Sequence, residues 1–427
     1  MGQIFEELPY AYVVSTPKKT QICHFCLKHS SESLRRCSRC RFAHYCNENC
    51  QRSAWNDHSK ECGCLVRVQP NVPTDMARIM ARILFKQQLL AATESPESTD
   101  RKRPFESLIS HVKEIQNDLL RMEHFSHICA IIKEYMGSEM LPPVSDLLEI
   151  YGKICVNSLN ILDDDGNSIG TGLYLDLSII DHSCHPDAVI VFTGPKAILN
   201  YIGNEKPENV NLKQVWISYI ELLSTSTERR RELREHYYFN CSCSSCDDLL
   251  RDQRMESLKC PNEDCDGCVV MSDADTGMCE TCGTSTTDVD TGITMMQRIK
   301  WLFEKLDSFR KEEDFASIYD HSTSLLKEAE SVLHPVNIYL IRLLDYASDA
   351  AIREEKWPQA VEYGTAVLRG YREHYPRGHP SVSYCLAEVG KILQFLGRLE
   401  EAELFLQRAR TEEERRVQLS RTQLMVA

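Results

Sequence analysis

Met76, Ile79, Met80, Ile83 and Leu84 recur at helical spacing, and Thr74 and Asp75 precede them as capping residues. They predict a helix with one apolar face. Further amphipathic helices are expected over 105–136 and 144–159, separated from the first by a polar, proline-interrupted loop at 93–104. Ahead of them, residues 1–16 read as one short β segment ending at Pro17. After Leu159 the pattern changes. A turn at 163–166 (Asp-Asp-Asp-Gly) leads into short β-prone runs at 188–192, 197–202 and 215–220, with irregular links and no strand–helix alternation.

From Thr294 onward the chain reads as helix throughout, starting with Ile299, Leu302, Phe303 and Leu306 on one face. A loose repeat runs through it. Ala316, Ala360 and Ala402 follow similar polar turns, 44 and then 42 residues apart, and the pairs His334-Pro335 and His379-Pro380 lie 45 apart. Small residues at such intervals predict stacked helical hairpins of tetratricopeptide type.

Composition narrows the class. At 427 residues the chain should form two to four domains, and its 42% apolar and 26% charged content is that of a globular protein. The net charge of −14 argues against general nucleic-acid binding. A local basic excess between Lys18 and Lys60 leaves weak nucleic-acid contact as a lesser expectation. The N-terminus has no signal-peptide pattern, Glu6 stands where a myristoylation motif wants Ser or Thr, and no apolar run would span a bilayer. An intracellular protein without membrane attachment is expected.

In a reducing compartment twenty cysteines point to metal rather than disulfides. Cys64, Cys129, Cys155, Cys268 and Cys385 stand apart from the clusters. The first cluster reads Cys23-x2-Cys26, Cys37-x2-Cys40, Cys46-x3-Cys50 and His58-x3-Cys62. Eight soft ligands make two closed tetrahedral zinc sites, structural because so small a segment cannot bury enough core to fold without metal. With Tyr45-Cys46 and Trp55-x2-His58 between the ligands, the pattern resembles a MYND finger. That resemblance implies that Cys23, Cys26, Cys46 and Cys50 share one zinc, and Cys37, Cys40, His58 and Cys62 the other. It also implies binding of short, proline-containing peptides.

A second series lies downstream: Gly170-Thr-Gly-Leu-Tyr174, Ser178, Asp181-His182-Ser183-Cys184 with Pro186, then Tyr219, then Tyr237-Tyr-Phe-Asn-Cys241-Ser-Cys243-x2-Cys246. In this order the pieces resemble the signature of SET domains, and with the finger they resemble the SET- and MYND-domain family of protein-lysine methyltransferases over nearly the whole chain. The resemblance implies a third zinc on Cys184, Cys241, Cys243 and Cys246. Beyond it, Cys260-x4-Cys265 and Cys279-x2-Cys282 have zinc-ribbon spacing and predict a fourth, with Cys268 competing with Cys265 as ligand.

The family transfers a methyl group from S-adenosylmethionine to a lysine amine. The resemblance assigns Tyr219 and Tyr237 to the lysine channel as catalytic residues. It assigns Asn157, Ser178, Ile180, Asp181, His182, Tyr219 and Phe239 to the cofactor, Phe239 by stacking on adenine. The partners it implies are proteins with exposed lysines, histone tails among them, met by a monomer in nucleus or cytoplasm. The implied architecture is α+β and multidomain. Residues 1–17 form an N-terminal SET strand, 18–64 the MYND finger inserted in a small-strand SET domain, 65–150 a helical insert and 151–240 the SET core. A zinc-binding post-SET region at 241–290 and an all-α TPR-like domain at 291–427 complete it.

Three departures from the family pattern bear on activity. Gly2 is the only glycine before Cys23, where the family carries a Gly-x-Gly cradle for the cofactor's methionine end. Asp181 stands for the motif asparagine, and Leu212-Lys-Gln-Val215 for the acidic-glycine turn before Tyr219. They set a second expectation beside the enzyme: a weak or inactive SET–MYND adaptor that binds partners through the finger and the helical repeats.

Overall fold

The structure, a computed structural model, describes residues 2–30, 33–93, 103–203, 211–273 and 276–423. The loop expected at 93–104 falls largely outside them; the helix Asp75–Thr93 runs up to it. Among the described residues no helix is long and apolar enough to cross a membrane.

The N-terminal segment is two strands, not one. Gly2–Glu7 adds to the antiparallel pair Lys196–Tyr201 and Ala188–Thr193, whereas Ala11–Val14 pairs with Ser168–Leu173, which in turn pairs with Ser158–Leu162. Pro9 sits in the break, where its missing N–H and fixed φ end one ladder before the next begins. Gly170 lies opposite Val14, where a Cβ would sit 2.3 Å from the Val13 carbonyl oxygen. Only glycine fits that approach. A parallel bridge of Asp181–His182 with Trp216–Ile217 completes the strands around the site, so the run expected at 215–220 is strand over two residues only.

Between Val14 and Ser158 the chain makes the finger and then helices. The helix Asp75–Thr93 buries Ile79, Met80, Ile83 and Leu84, and Thr74 accepts the Ala77 N–H as a cap. The segment expected to be helical at 105–136 is a single 3-10 turn, the short helix Val112–Gln116, and Leu119–Met136 capped by Asp118. The next helix, Val144–Asn157, delivers Asn157 to the cavity described below.

Past the cysteine-rich tail, four short strands form a ribbon in the order Leu258–Lys259, Cys268–Asp273, Thr276–Cys279 and Ser285–Thr286. Antiparallel helices follow from Val289–Lys311 to Leu399–Gln423. Phe315, Trp357 and Leu399 each begin a helix, and Glu313, Glu355 and Gly397 before them hold positive φ of 57°, 56° and 74°. The members of both sets recur every 42 residues. The caps Asn337 and His379 keep the same interval. Ala316 is therefore two residues out of register and exposed; Ile318 occupies the position equivalent to Ala360 and Ala402, and all three are buried.

Candidate active site and its metal centres

Among the described residues four groups of ligand atoms converge, the atoms within each group lying within 4.8 Å of one another: Cys23, Cys26, Cys46 and Cys50; Cys37, Cys40, His58 and Cys62; Cys184, Cys241, Cys243 and Cys246; Cys260, Cys265, Cys279 and Cys282. Three all-thiol sets and one set with a single imidazole are the donors that suit tetrahedral zinc. Their assembly has local causes. Two-residue turns aim Cys23 with Cys26 and Cys37 with Cys40, while Asn47 caps the helix Glu48–Ser53 that carries Cys50. One turn apart on Trp55–Arg67, His58 and Cys62 share a face. His58 turns its Nε2 toward Cys40 Sγ at 3.6 Å. In the ribbon it is Cys265 that joins the group. Cys268 lies outside it, its thiol donating to Glu280 at 3.2 Å.

The finger is bolted to the strands by a buried network. Glu61, between two residues of the second group, accepts Arg78 Nε at 3.1 Å and Arg82 Nη2 at 2.6 Å. The same arginines donate to the carbonyls of Val14 and Tyr12 at 2.9 and 2.6 Å. Burial alone would raise the Glu61 pKa, but the Arg82 and Arg78 charges outweigh it and hold it at about 2. Little in the sequence points to this triad. A Glu between metal ligands, with two arginines four apart on the next helix, was its only trace.

A cavity of about 630 Å³ lies between the strands, the helix Val144–Asn157 and the cysteine-rich tail. Of the residues expected at the site, Asn157, Ser178, Ile180, Asp181, Tyr219, Tyr237 and Phe239 line it. His182 does not. Its ring is a support behind the wall: Nδ1 accepts the Tyr219 N–H at 3.0 Å, and Nε2 lies 3.1 Å from Cys184 Sγ. Burial, then the Arg229 charge, depresses its pKa to about 4, so at neutral pH the ring is uncharged.

The aromatic rings form one cluster. Tyr219 and Tyr237 have centroids 5.0 Å apart, and Tyr219 meets Phe239 edge-on at 6.5 Å. The Tyr219 hydroxyl donates to the Ile180 carbonyl at 2.5 Å and that of Tyr237 to the Tyr219 carbonyl at 3.3 Å. Burial pushes both phenols up, aided by Asp181 at Tyr219 and by Glu232 at Tyr237, so both keep their protons at neutral pH. A capping box of Thr225 and Glu228 starts the helix Ser226–Tyr237, and Tyr238 ends it at φ 62°, turning the chain so that Phe239 faces back to the cavity.

The polar wall is partly committed. The Asn157 amide donates to the carbonyls of Ile109 and Lys153 at 2.8 and 2.7 Å, its oxygen having no bond among the described residues, and Ser178 Oγ donates to Leu175 O and accepts from Arg103. Ser158, also on the wall, has a buried hydroxyl with no partner among the described residues. The acidic residues facing the cavity are Asp181, Glu221 and Glu232. Glu400, Glu401 and Glu403 do not face it; they lie at the start of the last helix, with Glu401 paired to Arg398. The helical domain closes the far side through His379.

These features define an α+β, zinc-rich protein that joins a MYND finger to a SET fold with a helical C-terminal region. Residues 23–62 match the family model of the MYND finger. Over 407 residues the chain is 27% identical to histone-lysine N-methyltransferase SMYD3 of Homo sapiens, covering 93% of this chain and 84% of that protein. It is 26% identical over 411 residues to histone-lysine N-methyltransferase ASHR1 of Arabidopsis thaliana (93% and 83% covered). To N-lysine methyltransferase SMYD2 of Homo sapiens it is 24% identical over 418 residues (96% and 88%). The resemblance to SET- and MYND-domain lysine methyltransferases thus extends from the finger to the C-terminal helices.

Proposed function

We propose that this protein is an S-adenosylmethionine-dependent protein-lysine N-methyltransferase. The observation that carries the reading is the cavity in which Tyr219, Tyr237 and Phe239 converge beside a polar wall with a buried, unpartnered Ser158 hydroxyl. Its volume of about 630 Å³ lies in the range of cofactor pockets. S-adenosylmethionine supplies a methyl group on a cationic sulfonium. Phe239 offers a face for the adenine, and Asn157 Oδ1, Ser158, Ser178 and Asp181 offer polar contacts.

Tyr219 and Tyr237 do not act as bases, because their phenols stay protonated. With their protons given to backbone carbonyls, the hydroxyl oxygens accept N–H bonds from a neutral lysine amine and orient its lone pair. The rings pack on the lysine's alkyl stem and exclude water. The amine reaches the channel after losing its proton to solvent. The group formed by Cys184, Cys241, Cys243 and Cys246 would hold zinc that takes no part in chemistry; it ties the tail bearing Phe239 to the strand bearing His182.

On this reading the substrates are proteins with exposed lysines, histone tails among them, and the finger takes proline-containing peptides. The protein works as a monomer in nucleus or cytoplasm. Calorimetric titration with S-adenosylmethionine, paired with methyl transfer to lysine peptides, tests it. Saturable binding and transfer that falls in Tyr237→Phe support the enzyme. A folded, zinc-loaded protein that binds no cofactor refutes it and leaves the adaptor.

A further inference from the structure

Glu221 stands two residues beyond Tyr219 on the cavity wall. Its Oε1 accepts the Leu223 N–H at 2.9 Å and the Tyr375 hydroxyl at 2.6 Å. Tyr375 comes from the helical domain and is itself fixed, stacked on His379 at 4.2 Å with planes 5° apart and edge-on to Tyr371 at 5.0 Å. His379 lines the same cavity. Glu232, on the helix Ser226–Tyr237, lines it too; burial raises the Glu232 pKa, His236 and Arg342 opposing and Glu221 adding to the rise. Neither glutamate forms an ion pair among the described residues.

Carboxylates without an ion-pair partner at a binding cavity attract cations, but the amine that accepts a methyl group must be neutral. A carboxylate against that amine would favour its charged form and oppose transfer. The Glu221 charge therefore suits a different cation on the same segment.

We propose that Glu221, held by Tyr375, is a specificity-determining residue that reads a second basic side chain in the lysine-bearing segment, so that preferred substrates are dibasic. This rests on the methyltransferase reading of the cavity. Tyr375 is a positioning residue, acting through Glu221. The helical domain thereby sets substrate choice without touching the reacting atoms.

The test uses the full zinc-loaded chain and fluorescence anisotropy with two labelled peptides, one with Arg beside a central Lys and one with Ala in that place. Wild type should bind the Arg peptide about ten- to a hundredfold more tightly, the range of a charge-assisted hydrogen bond. Glu221→Gln keeps both hydrogen bonds through its amide oxygen but loses the charge, and should abolish the preference. Glu221→Asp should restore part of it, and Tyr375→Phe should lose part. In transfer assays Glu221→Gln should raise KM for the Arg peptide more than it lowers kcat. Equal wild-type affinity for the two peptides, or an undiminished preference in Glu221→Gln, overturns the proposal. Preference without transfer to either peptide supports dibasic recognition and overturns the enzyme reading instead.

Discussion

Arg82 reaches from the helix after the finger to Glu61 inside it, Nη2 to carboxylate at 2.6 Å, with Arg78 fully buried on the other carboxylate oxygen. Removing one member of such a network leaves a buried charge uncompensated. Glu61→Ala should cost about 3–5 kcal/mol in denaturant unfolding. The Glu61 pKa is depressed, so its contribution is present above the ordinary glutamate value and is lost as pH falls toward about 2. A loss under about 1 kcal/mol would mean that the triad is not the joint between finger and strands.

Zinc should be found at four ions per chain by elemental analysis, three in all-cysteine sites and one with His58. Chelation should unfold the finger first, because it has the least core of its own. Hydrogen exchange that left residues 23–62 the best protected after chelation would contradict this order.

His182 separates support from contact. His182→Ala leaves the Tyr219 N–H without its acceptor, at a cost of about 1–3 kcal/mol for a buried donor, while all four thiols of the adjacent group remain. Methyl transfer should fall with the zinc count unchanged. Loss of one zinc in this variant would place the imidazole among the ligands.

Removal of the Tyr237 hydroxyl in Tyr237→Phe should lower transfer by about a hundredfold with cofactor affinity nearly kept, since the ring still packs while the oxygen that orients the amine is gone. A matched fall in cofactor affinity would instead put the hydroxyl on the cofactor.

A second cavity, of about 470 Å³, opens on the helical domain with Asp345, Asp349 and Glu388 on its wall. Burial, then Asp349, Asp345 and Asp165, push Glu388 up to about 7, and burial lifts Asp345 to about 6. Their folded pKa values lie above the unfolded ones. The folded state therefore binds the extra protons, and stability falls as pH rises from about 4 through 7. Glu388→Gln should raise the thermal midpoint at pH 8 and leave it little changed at pH 5. An equal shift at both would show that the carboxyl does not titrate there.

Most zinc ligands were legible because their half-sites are local, two to five residues putting paired donors on one turn; Cys184, 57 residues before Cys241, was readable only through the motif. The tyrosines and Phe239 were readable only through motif order. What escaped has longer reach. The bond from Tyr375 to Glu221 joins two domains, and no periodicity marks either residue. His182 lay in the expected motif, but which way its ring faces depends on the Tyr219 backbone and Cys184. The helical repeat was visible, yet its register was set by the alanine pattern, while the structure sets it by the left-handed residues Glu313, Glu355 and Gly397. Two of those three are glutamates, which carry no signal for positive φ.

The strands on either side of the finger have a bearing on synthesis. Val14 lies opposite Gly170 and Gly2 opposite Tyr201, so neither N-terminal strand has a partner until the ribosome has made everything between. The finger needs only its own ligands and can close on zinc as soon as Cys62 emerges. It then stands as a finished unit behind two bare strands, which are exposed to pairing with other chains for the time that distant closure takes. Metal supply during translation would thus govern the yield of soluble protein as much as it governs the stability of the finished one.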